Sequence, residues 1–193
     1  MSYSIEEHRH RFAAWAAARA ASTSLLCRFS VEQGRQVLED AGLAQVASID
    51  NLPQPNKFDA QHRRWRERVI RSAKKHHQLP FTHGVAAKLI NIYFKSIFVC
   101  GGLHEDPRVK AIHPPIDSVL LKELYKRNVG GQRNAWKDAM KARWSKLDSE
   151  QYETLIEAIR GAVPANHGLW EIEEHWVGYS IDRYAKKEDL MSG

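Results

Sequence analysis

Residues 84–100 read GVAAKLINIYFKSIFVC, and this stretch decides the fold class. Written as a helix, its apolar side chains lie almost all the way round, and its only polar strip is Lys88, Asn91 and Lys95 at i, i+3 and i+7. A helix that is apolar on nearly every side must be surrounded by other elements. We therefore expect it to be the central core helix of the protein.

The remainder of the chain also shows helical spacing, without sustained alternation of polar and apolar residues. Helix starts are predicted from the capping residues Ser4, Ser30, Asp59, Asp117 and either Asp148 or Ser149. Asp59 is expected to begin a helix that runs from about Ala60 to His77. We predict an all-α protein with seven or eight helices, built as one compact domain (1–193) or as two small lobes that share a cleft.

The charge distribution points to an anionic partner. The 193 residues contain 29 Lys and Arg against 23 Asp and Glu, a net charge of +6, and residues 60–77 alone carry seven basic residues and one acidic residue. Only two cysteines occur, which is typical of a reducing compartment. No apolar run approaches the length of a membrane span, and Glu6 and Glu7 are unlike a targeting peptide. We expect a cytoplasmic protein that does not contact a membrane.

Four cations form a row within the basic segment. Arg64, Arg68, Arg71 and Lys75, here called the basic stripe, fall at i, i+4, i+7 and i+11 of the predicted helix. Such a row is stabilised by an anion alongside it, and a phosphate backbone is the obvious candidate. An ordinary solvated helix face is the alternative.

The motifs of several enzyme classes are missing from the sequence. It contains no His-Glu-x-x-His, no Cys-x-x-Cys, no Gly-rich phosphate loop followed by Lys-Ser/Thr and no Gly-x-Ser-x-Gly. We therefore predict neither a metal site nor a cofactor.

The connection between the basic helix and the core helix, residues 79–88, reads LPFTHGVAAK and is called the hairpin below. At such a connection the backbone N–H groups that begin the second helix point outward and can bind a phosphate. Lys88 follows on a mostly apolar helix, where desolvation makes a lysine amine a better nucleophile. Asp117 follows Pro114-Pro115-Ile116 at the start of another helix.

Gly84-Val85-Ala86-Ala87-Lys88 and Pro115-Ile116-Asp117 resemble motifs of the helix-hairpin-helix DNA glycosylases, the superfamily that includes the 8-oxoguanine DNA glycosylases. The resemblance covers about residues 60–128. The chain departs from the family pattern at Ala86, which replaces a glycine, and in its longer separation of Lys88 and Asp117. The resemblance implies two helical lobes around a cleft, with 58–130 as the hairpin and catalytic segment and 1–57 with 131–193 as the second lobe.

The resemblance also implies a monomeric enzyme that flips one damaged or modified base out of double-stranded DNA and excises it, in repair or in defence against modified phage DNA. Lys88 and Asp117 would be the catalytic residues, and either Lys88 or water would attack the sugar. The implied base pocket contains Trp65 and His113. The implied DNA-binding residues are the basic stripe and six hairpin residues: Leu79, Thr82, His83, Gly84, Val85 and Ala86.

Two other function classes remain open on the sequence. One is a non-catalytic DNA- or RNA-binding module that uses the same hairpin and basic stripe. The other is a helical interaction protein without a nucleic-acid site, in which Asp117 is only an N-cap and the strip of Lys88, Asn91 and Lys95 faces solvent. These classes differ in one geometric respect, because only the glycosylase requires Lys88 and Asp117 to meet.

Overall fold

Helices form every regular element in residues 3–22 and 27–178, the ranges that the computed structural model describes. About 74% of these described residues are helical, so the prediction of an all-α fold is confirmed. The eight α-helices are α1 Ile5–Ala21, α2 Val31–Asp40, α3 Pro55–His77, α4 His83–Phe94, α5 Pro107–Lys110, α6 Ser118–Arg127, α7 Arg133–Ala142 and α8 Ser149–Ala162. A π-helix, Lys95–Leu103, continues α4, and the 3-10 helices are Ala44–Val46, Ile49–Asn51, Val129–Gly131, Trp144–Lys146 and Leu169–His175.

Local capping explains most helix starts. The hydroxyl of Ser4 accepts a hydrogen bond from the N–H of Glu7, and Ser30 and Asp148 each form a complete capping box. The starts of α3 and α7 have no side-chain cap, and α3 begins at Pro55 rather than after Asp59. Proline suits the first position of a helix because it has no N–H and its φ is already helical. Asp59 therefore lies inside α3.

Two apolar clusters form the core. The larger one joins α1, α2, α3, α4, the π-helix and α5, and the smaller one joins α6, α7, α8 and the 3-10 helix Leu169–His175. Helix α4 contributes to both clusters, Val85, Ala86 and Leu89 to the larger and Ala87 to the smaller, as expected for a central helix. This grouping differs from the predicted lobes, because α1 and α2 pack on α3 and α4. The end of the predicted lobe 131–193 lies outside the described residues.

The continuous run of α4 and the π-helix, His83–Leu103, is 21 residues long and has a mean hydropathy of 1.3. By length and composition it could cross a membrane, which the sequence analysis did not anticipate. In the folded chain, 67% of its most apolar window is buried inside the protein. This burial is what the packing of a central core helix requires.

Candidate active site

Lys88 and Asp117 come together in the fold. Lys88 lies on the second turn of α4, and its Nζ is 3.8 Å from Oδ2 of Asp117. The Lys88 side chain is only 8% exposed, so it does not belong to a solvent-facing strip. Its Nζ also lies 4.3 Å from the centre of the Trp144 ring, within the range of a cation–π interaction.

Burial changes the protonation of Lys88. Desolvation lowers the pKa of its ammonium, and the negative charge and hydrogen bonding of Asp117 partly oppose this effect. A lysine with a lowered pKa is present as the free amine more often at neutral pH. The free amine is the form that attacks a carbon electrophile.

Asp117 has two structural roles at once. Its Oδ1 accepts hydrogen bonds of 2.9 Å from the backbone N–H groups of Val119 and Leu120, which makes it the N-cap of α6. Its Oδ2 accepts a hydrogen bond of 3.2 Å from the indole N–H of Trp176 and faces Lys88. The capping interpretation of Asp117 is therefore correct, but it does not exclude pairing with Lys88.

A second lysine–carboxylate pair lies two turns further along. Lys95 Nζ donates to Glu173 Oε2 at 2.5 Å, and Glu173 lies three residues before Trp176. Burial raises the pKa of the Glu173 carboxyl, Lys95 opposes this, and the nearby negative charge of Asp117 adds to it. Glu173 was not predicted as a site residue. Its only sequence signal was the i, i+3 spacing to Trp176, which in the fold is the residue that ends the 3-10 helix Leu169–His175.

The hairpin differs from the expected phosphate-binding arrangement. Its N–H groups have acceptors within the protein: Gly84 donates to the Leu147 carbonyl at 3.1 Å, Val85 to the Thr82 hydroxyl at 3.2 Å and Ala86 to the Thr82 carbonyl at 3.0 Å. Gly84, Val85 and Ala86 are buried, whereas Leu79, Thr82 and His83 are partly exposed. The expectation of outward, unpaired N–H groups is therefore corrected at Gly84, Val85 and Ala86.

Gly84 has a packing role instead. A Cβ atom at this position would lie 1.8 Å from the carbonyl oxygen of Trp144, so only glycine permits this approach. The Thr82 hydroxyl also donates to the Ser145 carbonyl at 2.9 Å. The hairpin thus holds the 3-10 helix Trp144–Lys146 in place, and with it the Trp144 ring that covers Lys88.

The basic stripe is exposed along α3. Its four side chains form no ion pair with any carboxylate in the described part of the chain. By contrast, Arg63 and Arg66, which lie beside the stripe on the same helix, both pair with Glu153 of α8. The stripe therefore exposes four cations to solvent.

Trp65 and His113 do not form the expected base pocket. Trp65 is only 2% exposed and packs edge-on against Phe58 and Phe94 in the larger core cluster, so no base can stack on it. His113 is also 2% exposed, and both of its ring nitrogens have partners. Both residues were predicted to contact the base, but both are buried and contact other side chains inside the protein.

His113 belongs to a set of hydrogen-bonded side chains called the buried network here. Asn91 links His62 (2.8 Å) to the Tyr152 hydroxyl (3.0 Å), Tyr152 contacts Nδ1 of His113 (3.1 Å), and Nε2 of His113 contacts Asp59 (2.9 Å). Desolvation lowers the pKa of both His62 and His113, so both rings are neutral at pH 7. Because both rings are neutral, the direction of each hydrogen bond can be assigned. His113 donates to the Asp59 carboxylate, Tyr152 donates to His113, and the Asn91 amide donates to Tyr152.

The buried network ends at the surface. Asp59 binds Arg160 of α8 at 3.0 Å and borders a groove of about 840 Å³ between α3 and α8. Within residues 3–22 and 27–178, no group of three or more His, Cys, Asp or Glu side chains is arranged to hold a metal ion.

Comparison with known proteins gives no relative: no family model, no curated protein and no solved structure matches the chain. The functional conclusion therefore depends on the residues and their geometry.

Proposed function

We propose that this protein is a DNA glycosylase that cleaves the N-glycosidic bond of a damaged or modified base flipped out of double-stranded DNA. The observation that carries the proposal is the contact between Lys88 and Asp117, which lie 29 residues apart in sequence and 3.8 Å apart in the fold. A lysine on a solvent strip and a simple helix cap have no reason to meet. A nucleophile and a carboxylate that act on the same sugar carbon must meet.

The roles of the two residues follow from their environments. The partly desolvated amine of Lys88 attacks C1′ of the sugar, the new N–C1′ bond replaces the bond to the base, and the base leaves with the bonding electrons and takes up a proton. The Asp117 carboxylate stabilises the positive charge developing on the sugar. Its hydrogen bonds from Val119, Leu120 and Trp176 keep it in position for this role.

This attack forms an aminal between Lys88 and C1′. When the C1′–O4′ bond then breaks and O4′ takes up a proton, the opened sugar is held as a Schiff base, which permits elimination of the 3′ phosphate and cleavage of the strand. If water attacks instead, the product is an intact strand with an abasic site. Burial of Lys88 and the lowering of its pKa favour the lysine route. Repair of damaged DNA and defence against modified phage DNA both require this chemistry.

The basic stripe supports DNA as the ligand. Four exposed cations in one row along α3 suit an extended polyanion such as a phosphate backbone better than a compact anion. Because the N–H groups of Gly84, Val85 and Ala86 are used inside the protein, we assign DNA binding to the basic stripe and to the partly exposed hairpin residues Leu79, Thr82 and His83. The same stripe also suits the alternative function, a non-catalytic nucleic-acid-binding module.

The first experiment incubates the protein with genomic DNAs of several modification types and scores abasic sites and adducts trapped by borohydride. Lys88→Gln should abolish the adducts, and Asp117→Asn should abolish the abasic sites. Lys126→Gln is the matched control, because Lys126 is also paired with a carboxylate, Glu123, but lies 55% exposed at the end of α6. Adducts that persist in Lys88→Gln contradict the assignment of the nucleophile. Abasic sites without adducts indicate that water attacks.

A second experiment separates the function classes by salt dependence. Four phosphate contacts give a slope of about −3.6 in a plot of log affinity against log salt, and glutamine at all four stripe positions should remove most of it. A variant with glutamine at the exposed lysines 122, 126, 137 and 141 removes the same charge elsewhere and should keep the slope. Salt-dependent binding without any base excision favours the binding module. Absence of binding contradicts both nucleic-acid functions.

A further inference from the structure

The buried network contacts the chain segment that carries Asp117. The side-chain amide of Asn91 donates a hydrogen bond of 2.8 Å to the backbone carbonyl of Pro114, three residues before Asp117. Asn91 is itself 1% exposed and lies three residues after Lys88 on α4. One side chain thus connects the turn of α4 next to Lys88 with the segment that leads into Asp117.

This bond acts beside the Lys88–Asp117 contact, in a segment that apolar packing also holds near α4, since Ile116 is buried in the same cluster as Ala87. Lys88 and Asp117 meet at 3.8 Å, longer than an ordinary hydrogen bond, so their own attraction does little to determine their separation. Asp117 is tied to α6 through its cap bonds and to Trp176, but none of these bonds reaches α4. The bond between Asn91 and Pro114 joins α4 to this segment directly.

We infer that Asn91 is a positioning residue that holds Asp117 against Lys88 through its hydrogen bond to the Pro114 carbonyl. The catalytic importance of Asn91 rests on the proposed function. Its effect on the positions of Lys88 and Asp117 can be tested without any activity. The remaining bonds of Asn91 explain why its amide is oriented correctly. Its Oδ1 accepts from His62 and its second N–H donates to Tyr152, so the amide cannot flip without losing both bonds.

The inference predicts a change at Lys88 that simple loss of stability would not cause. If the segment of Asp117 moves away, Lys88 loses the charge that opposes desolvation, and its pKa falls further. The charged groups near Lys88 are Asp117 at the start of α6, Glu173 in the 3-10 helix Leu169–His175 and Lys95 on the π-helix. Of these, Asp117 is the group whose charge and hydrogen bonding raise the pKa of Lys88.

The test measures the titration of Lys88 by NMR in the full chain with ¹³C-labelled lysine, assigned by comparison with Lys88→Gln. Asn91→Leu removes the donor to Pro114, and Asn91→Ser is a smaller replacement for use if the leucine variant does not fold. The matched control is Tyr152→Phe, which breaks the bond between Asn91 and Tyr152 in the same network but keeps the bond to Pro114. We expect the Lys88 pKa to fall in the Asn91 variants and to stay unchanged in Tyr152→Phe.

Kinetic measurements on the same variants provide a second test of the positioning role. In the Asn91 variants, the single-turnover rate should fall by about 10²-fold, as for a misplacement near 1 Å, while the acid limb of the pH–rate profile moves to lower pH. An unchanged Lys88 titration in a folded Asn91 variant overturns the inference, as does an equal shift in Tyr152→Phe. If the protein excises no base but the Lys88 titration shifts as expected, the proposed function fails and the positioning role stands.

Discussion

The Lys88–Asp117 pair and the buried network are both organised around α4, but their geometries differ. The network is joined by hydrogen bonds of 2.8 to 3.1 Å, and its interior members His62, Asn91, His113 and Tyr152 are at most 2% exposed. The pair meets at 3.8 Å, and Asp117 is 22% exposed. A polar cluster that stabilises a fold is well paired, because unpaired buried groups are costly. A reactive amine must remain incompletely paired, because a tight ion pair would keep it protonated.

The largest expected effect is a loss of activity at Lys88 that is not accompanied by a loss of stability. Lys88→Met should reduce base excision at least about 10³-fold, as for removal of a nucleophile. The free energy of unfolding should change by less than about 1 kcal/mol, because methionine avoids the desolvation of an ammonium and Asp117 keeps its three N–H donors. Parallel activity assays and urea denaturation check this. If the free energy of unfolding falls by several kcal/mol while activity is retained, the pair stabilises the fold and does not serve catalysis.

Removal of a member of the buried network, unlike Lys88→Met, should clearly lower the free energy of unfolding. His113→Phe keeps an aromatic ring but leaves the Tyr152 hydroxyl without its acceptor and Asp59 without its buried donor. We expect the free energy of unfolding to fall by about 2–3 kcal/mol. His104→Phe, at a histidine 47% exposed, should have little effect in the same denaturation experiment. Equal effects at the two sites would show that the network does not stabilise the fold.

The network should also make stability depend on pH. His62 and His113 have pKa values lowered by burial, so below pH ~6.5 the unfolded chain binds protons that the folded chain does not. The free energy of unfolding should therefore decrease as the pH falls below ~6.5, by up to about 1.4 kcal/mol per pH unit for each histidine. Denaturation at pH 7.5, 6.5 and 5.5 measures this slope. It should be shallower in His113→Phe, and an unchanged slope in that variant would contradict a contribution from His113.

The smallest effect is expected where the network reaches the surface. Arg160 and Asp59 are 40% and 47% exposed, so solvent screens their attraction. Arg160→Gln should lower the free energy of unfolding by less than about 1 kcal/mol. A larger loss, measured by the same urea titration, would mean that the exposed end contributes as much as the buried bonds.

Capping and spacing predicted the helices because these signals are local. Ser4, Ser30, Asp117 and Asp148 cap helices through bonds to residues two or three positions later. The same logic failed for Asp59, since Pro55 already begins α3 and the Asp59 carboxylate binds His113 and Arg160 instead. A cap residue and a partner for a distant side chain look identical in sequence.

Trp65 and His113 were misassigned for a related reason. An aromatic residue beside a basic stripe and a histidine before two prolines are equally compatible with a pocket and with the core. Their burial depends on α4 and α8, which pack against them from elsewhere in the chain. The Lys88–Asp117 contact was anticipated only through the resemblance of short motifs to a family, and the fold brings the two residues together.

The amino-acid sequence by itself determined the helical class, most helix starts and the row of four cations on α3, because each depends on residues within about one or two turns of each other. Tertiary structure decided which polar residues became paired: Asn91 with Pro114, 23 positions away, His113 with Asp59, 54 positions away, and Lys88 with Asp117. Such distant pairs form only when whole helices pack, and packing on α4 buries the interior members of the network while Asp117 of the other pair keeps partial contact with solvent.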